Sequence, residues 1–194
     1  MRRIIAAIIM VLASLGFLTC ERVDMHTLAT LGLAPKTVIY IYPIENFNGD
    51  LGGRDSVDDY CNNQGLAYQA ALKVSTVRGF ISMSQLDELR FTLPVEFWYY
   101  PVVGVSPTMQ LSVIANSWLG MLDGDIVTGI DTAVGIGGMV WWSGSNADGS
   151  FNADYNCQNW SSMDPAQLGQ VGANGFASTT ATCDSTAYLL CIAY

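Results

Sequence analysis

"CDSTAYLLCIAY", Cys183 to Tyr194, ends the chain with two cysteines bracketing its final apolar run. The run reads as a last strand held at both ends. Its partners depend on the remaining cysteines, Cys20, Cys61 and Cys157, and on the compartment to which the chain is sent.

The first residues bear on that compartment. Arg2 and Arg3 form a positive n-region ahead of an uncharged run, Ile4 to Leu18, that stops at Cys20, Glu21 and Arg22. A spanning helix needs about 20 apolar residues, so the run fits a secretory h-region better than a stable anchor. "Phe17-Leu18-Thr19-Cys20" is a loose lipobox in which Leu18 and Thr19 depart from the usual small residues. It implies cleavage before Cys20 and acylation of that cysteine. The expected organisation is a signal peptide over residues 1–19, a lipidated tether over 20–36 and a folded domain over 37–194. Ordinary secretion after a cut near Val11-Leu12-Ala13 and retention as a membrane anchor are the alternatives. Export allows disulfides to persist, and setting Cys20 aside leaves an even four: Cys61, Cys157, Cys183 and Cys191. Four cysteines allow three connectivities, and spacing alone does not choose among them. No C-x-x-C occurs and the one histidine, His26, lies in the tether, so structural zinc is not expected.

Composition narrows the function classes. Apolar residues make up 51% of the 194 and charged residues only 13%, enough for a core of its own and for one domain. The formal charge is −9, and loss of Arg2 and Arg3 with the leader makes it two units more negative. Such a chain neutralises phosphates poorly, which argues against nucleic acid and against electrostatic attachment to anionic lipid. The membrane is expected only through the lipid at Cys20.

Along the chain, "TVIYIY" (Thr37 to Tyr42) is a β-branched and aromatic strand closed by Pro43, and "NFNGDLGG" is a turn cluster. In "RDSVDDYCNNQG", Ser56 and Asp59 resemble a capping box. Val57, Tyr60 and Cys61 then share one helical face, which puts Cys61 on the buried side of a short helix. "GGMVWWSGS" is a strand, followed by the polar loop "NADGSFNADYN" and then "CQNWSS". Trp141 and Trp142 therefore point to opposite faces: one is core and the other exposed or covered by the long loop, with core the simpler reading for each and Trp142 the candidate for a binding surface. The overall class is α+β: short strands, one or two helices, long loops and two disulfides.

"YIYPIENFNGDLGGRDSVDDYCN", "FISMSQLDELR", "ANSWLGMLDGDI", "VWWSGSNADG", "NCQNWSS" and "CDSTAYLLCIAY" occur in that order from about Val38 to Tyr194. Together they resemble the leptospiral endostatin-like outer-membrane lipoprotein family and its wider relatives. The resemblance implies a C-type lectin-like, endostatin-like fold in which the helix cysteine pairs with the last-strand one and the two middle cysteines pair together. That pairing is Cys61–Cys191 and Cys157–Cys183, with the last strand central. It further implies a surface-exposed lipoprotein acting as an adhesin for host matrix or plasma proteins such as laminin, fibronectin, plasminogen or complement factor H. The fold transfers between relatives better than the partner does.

Against the sugar-binding version of that fold, the Glu-Pro-Asn or Gln-Pro-Asp and Trp-Asn-Asp triplets are absent. Asn146, Asp148, Asn152 and Asp154 supply oxygens. Asn146, Asp148 and Gly149 match the middle of the calcium-loop template, but Gly144 and Tyr155 occupy its acidic ends. A solvated turn is the simpler reading, with weak calcium binding as the alternative and no other cofactor expected. Catalysis is not expected either, because a nucleophile needs a base within reach and the single histidine lies in the tether. Six singly scattered Lys and Arg remain after the leader, too few for heparin. The candidate binding surface is therefore Trp142, Asn146, Asp148 and Asp154, with no catalytic or metal residues. A calcium-dependent lectin and an envelope structural protein without a host ligand are the competing functions.

Overall fold

The computed structural model describes residues 38–194. The expected leader (1–19), the acylation position Cys20, the tether (20–36) and Thr37 lie outside the described residues. The domain is mixed α/β, built around one eight-stranded sheet with few helices and two disulfides.

The C-terminal run is strand β8 (Ala187–Ala193), and it lies at the centre of the sheet. One edge pairs antiparallel with β1 (Ile39–Phe47), Tyr42 opposite Cys191. The other edge pairs with β5 (Trp141–Trp142) near its start and with β2 (Val77–Gly79) near its end. Beyond β1 lie β3 (Val102–Val105), which is parallel to it, and β4 (Leu111–Ala115). Beyond β5 lie β6 (Leu168–Gly172) and β7 (Thr179–Thr182).

Because side chains alternate across a strand, the unbroken apolar run of β8 requires cover on both faces, and it has it. Leu190 and Ile192 join Ile39, Ile41, Val102 and Trp141 in one core cluster, packed with Trp118, Met121, Ile130 and Ala133. Trp118 and Met121 come from α3 (Trp118–Leu122), which Ser117 caps by accepting from Gly120 N–H; Ile130 and Ala133 come from α4 (Ile130–Ala133). On the opposite face, Leu189 meets Trp142, Val171, Val57 and Trp160, and Cys191 meets Tyr42, Cys61 and Val77. Full burial of each such aliphatic side chain is worth about 1.5–3 kcal/mol. A strand buried on both faces is the thermodynamic centre of the domain.

Helix α1 (Gly53–Gln64) carries Val57 and Cys61 inward, as its spacing predicts, and α2 (Leu66–Leu72) follows directly. The expected cap is corrected. The helix starts ahead of Ser56, after Gly52 in a left-handed conformation (φ 73), and Ser56 Oγ donates back to Gly52 O. The early start puts Arg54 in the first turn, where its guanidinium reaches Asp87 (2.6 and 3.1 Å), Gly79 O (2.9 Å) and Ile81 O (2.7 Å). Asp58 completes the link by accepting from Gly79 N–H at 2.8 Å. The approach is close enough that a Cβ at Gly79 would collide with Val57. Arg54→Ala is expected to lower unfolding stability by about 2–4 kcal/mol, because it strands two carbonyls and leaves Asp58 and Asp87 short of countercharge. Arg54→Lys, lacking the planar fork, should recover only a minor part. Urea unfolding of the two variants tests both statements.

Pro43 does not end β1. The strand continues to Phe47 across a register shift between Pro43 and Asn46, which accommodates a residue that has no N–H to donate. "GGMVWWSGS" narrows to the two residues of β5, and "FISM" is buried but irregular after β2.

The bridges are Cys61–Cys191, joining α1 to β8 with a sequence separation of 130, and Cys157–Cys183, with a separation of 26. Cys157 opens a turn, Cys157–Trp160, in which all four residues have φ between 49 and 61. A left-handed turn of non-glycine residues costs roughly 1–2 kcal/mol per residue. Here it is held by the disulfide, by Asn156 Oδ1 accepting from Asn159 N–H, and by the indole of Trp160, which is buried and donates to Ser82 O. Among the described residues, no helix is long and apolar enough to cross a membrane.

Candidate functional site

Between β5 and the left-handed turn, residues 143–156 form the loop in which the candidate surface was expected. Its base is polar and buried. Ser82 Oγ lies 2.8 Å from Ser145 Oγ and accepts from Leu89 N–H, while Gln170 O accepts from the N–H groups of Ser143 and Gly144. The loop is fastened on its outer side to the segment 88–91. Glu88, which is buried, receives Arg90 Nε at 2.6 Å and Phe151 N–H at 3.2 Å, and Arg90 N–H donates to Gly149 O. On the far side Asn152 Nδ2 donates to Gln170 Oε1 and Gln170 N–H donates to Tyr155 O. Each buried polar group gains a partner, so the loop is held rather than merely tethered.

Individual side chains follow from this framework. Asp148 Oδ1 accepts from Ser150 Oγ (2.6 Å) and Ser150 N–H (3.0 Å), and Oδ2 lies 3.5 Å from Arg90 Nη1. The two bonds from Ser150, with the Arg90 charge beside them, hold this carboxyl below its ordinary value. Asn152 Oδ1 accepts from the N–H groups of Asp154 and Tyr155, and Asn146 Nδ2 donates to Ser150 Oγ and Phe151 O. These amides and the Asp148 carboxylate close the loop's own turns. A guanidinium next to Asp148 also opposes a cation there. Among the described residues, no group of three or more His, Cys, Asp or Glu is arranged to hold a metal ion.

Asn146, Asp148 and Asp154 are exposed, as a binding surface requires. Trp142 is not and must be removed from it. Its side chain is 0% exposed, lies edge-on to Trp160, and donates Nε1–H to Phe47 O at 2.7 Å. The expected alternation of Trp141 and Trp142 is observed, but both faces of the sheet are covered, so both rings are core.

The structure adds an aromatic neighbour in its place. Phe91 is 61% exposed, and Arg90, which touches Asp148, also lies over its ring at 4.9 Å. Leu86, fully exposed at the tip of the turn Ser84–Asp87, belongs to the same stretch of chain. Residues 86–91 carry no local signal that marks them as the partner of a loop some sixty positions later; the contacts of Glu88 with Phe151 and of Arg90 with Asp148 and Gly149 reveal it.

Neither a scan against protein-family models nor a search of curated proteins finds a match to this chain.

Proposed function

We propose that the protein is a surface-displayed lipoprotein adhesin. Its domain is C-type lectin-like and endostatin-like, and it acts as an interaction module for host matrix or plasma proteins such as laminin, fibronectin, plasminogen or complement factor H. The observation that carries the reading is the disulfide-anchored loop, which holds Asp148 and Asp154 at the surface, with Asp148 linked through Arg90 to exposed Phe91. The finer fold reading is supported by the helix-to-last-strand bridge, the second bridge and the central last strand. Residues 38–194 hold all but Glu21 and Asp24 of the 17 acidic residues, against four basic ones: Arg54, Lys73, Arg78 and Arg90. All three arginines are in ion pairs with the domain's own carboxylates. The remaining field attracts basic segments of partner proteins, and loops on a rigid scaffold are where binding residues concentrate. Cys20 supplies the membrane attachment in this reading, and no calcium is required.

Solid-phase binding of the purified protein to those four host proteins, across a salt series, tests the reading. Affinity should fall as salt screens the charges. Asp148→Asn combined with Asp154→Asn should weaken binding by roughly 3- to 10-fold, the worth of two exposed charge pairs. The unfolding midpoint should hardly move. Undiminished binding by the double variant overturns the loop surface, and loss of parent binding on chelation points instead to a calcium-dependent lectin.

A further inference from the structure

A second surface lies where the sheet parts. The β1–β3 ladder stops at Ile41 opposite Gly104, but β1 continues to Phe47 through its register shift. The surface there opens into a cleft of about 230 Å³. Pro43, Ile44, Tyr68, Pro107 and Tyr188 line it, and Glu45 supplies a carboxylate. Glu45 is exposed and makes no ion pair among the described residues.

A mostly apolar lining of proline, isoleucine and tyrosine, with the Gln64 amide and a single carboxylate, complements a long aliphatic stem that ends in a cation. Arginine suits this better than lysine, because a guanidinium both stacks on aromatic faces and pairs with a carboxylate through two parallel N–H bonds. The negative field of the domain favours the same ligand. We propose that this cleft captures an arginine side chain from an extended basic segment of a partner protein. The segment is extended to match β1, which makes no ladder pairing on the β3 side beyond Ile41. The site shares no residue with the loop surface around Asp148.

The test is fluorescence anisotropy of dye-labelled, end-blocked nonapeptides with the full chain in detergent micelles. The peptides are rich in alanine and proline and carry a central arginine, citrulline or glutamate. Citrulline has nearly the shape of arginine without its charge. The arginine peptide should bind about fivefold more tightly than the citrulline one, the worth of one rim charge pair, and the glutamate peptide should be weakest. Glu45→Gln, an exposed and conservative change, should erase most of the arginine preference. The Asp148→Asn, Asp154→Asn double variant should retain it, which separates failure of this cleft from failure of the loop surface. Equal binding of the arginine and citrulline peptides overturns the proposal, as does an unaltered preference in Glu45→Gln. Concentration-dependent self-association that Glu45→Gln abolishes also overturns it, by making a second copy of the chain the occupant.

Discussion

Replacing Cys61 and Cys191 together by alanine is expected to lower the free energy of unfolding by about 5 kcal/mol, against about 3.5 kcal/mol for the Cys157 and Cys183 pair. The difference follows from loop closure, since the first bridge spans 130 positions and the second 26. The first bridge also ties α1 to the strand buried on both faces of the sheet, so its loss frees the helix from the centre of the core. Removal of the second is partly offset, because the four left-handed residues from Cys157 to Trp160 can then relax. A domain of this size is typically stable by only about 5–15 kcal/mol. The Cys61/Cys191 variant should therefore be largely unfolded in modest urea, while the Cys157/Cys183 variant retains a cooperative transition. Urea curves followed by tryptophan fluorescence give the ordering directly. A reversed order would mean that strain and local packing, not loop length, govern these bridges.

The second large effect is at Trp142. Truncation to alanine should cost about 3–5 kcal/mol, the usual range for deleting a buried large aromatic. It empties a site bounded by Trp160, Val171 and Leu189 and leaves Phe47 O without its indole donor. Trp142→Phe keeps most of the apolar contact but still loses the hydrogen bond, and should cost about 1–3 kcal/mol. Thermal or urea unfolding of both variants distinguishes this role from one at a binding surface. A surface tryptophan would affect partner binding and leave the unfolding midpoint in place; Trp142 should do the reverse.

The two tryptophans also mark how far the residues can be read without the fold. Adjacent positions on a strand face opposite ways, and that much is a property of the backbone. Whether the second face meets water depends on elements elsewhere in the chain. Here Leu51, Val57 and Trp160 cover it, at separations of tens of residues that no local pattern encodes. The same limit applies at the start of α1. Ser56 has the right chemistry for a cap, but burial of Leu51 and the pull of Asp87 on Arg54 favour a start at Gly53. Pro43 likewise suggests a strand end, and the bulge opposite β8 lets the strand run on.

What the sequence determined alone was what local chemistry and simple periodicity control. The apolar C-terminal run had to be a buried element, Val57 and Cys61 had to share a helix face, and the loop from Asn146 to Asp154 had to be polar and largely at the surface. Only the tertiary structure decided that both faces of the sheet are covered, so that Trp142 is core, and that Glu88 and Arg90 clamp the loop. It also decided that Arg90 links Asp148 to Phe91 and that a left-handed turn closes the segment. The reason is physical: hydrogen bonds and burial at long sequence separation are set by which surfaces meet, and each residue carries only its own side of that contact.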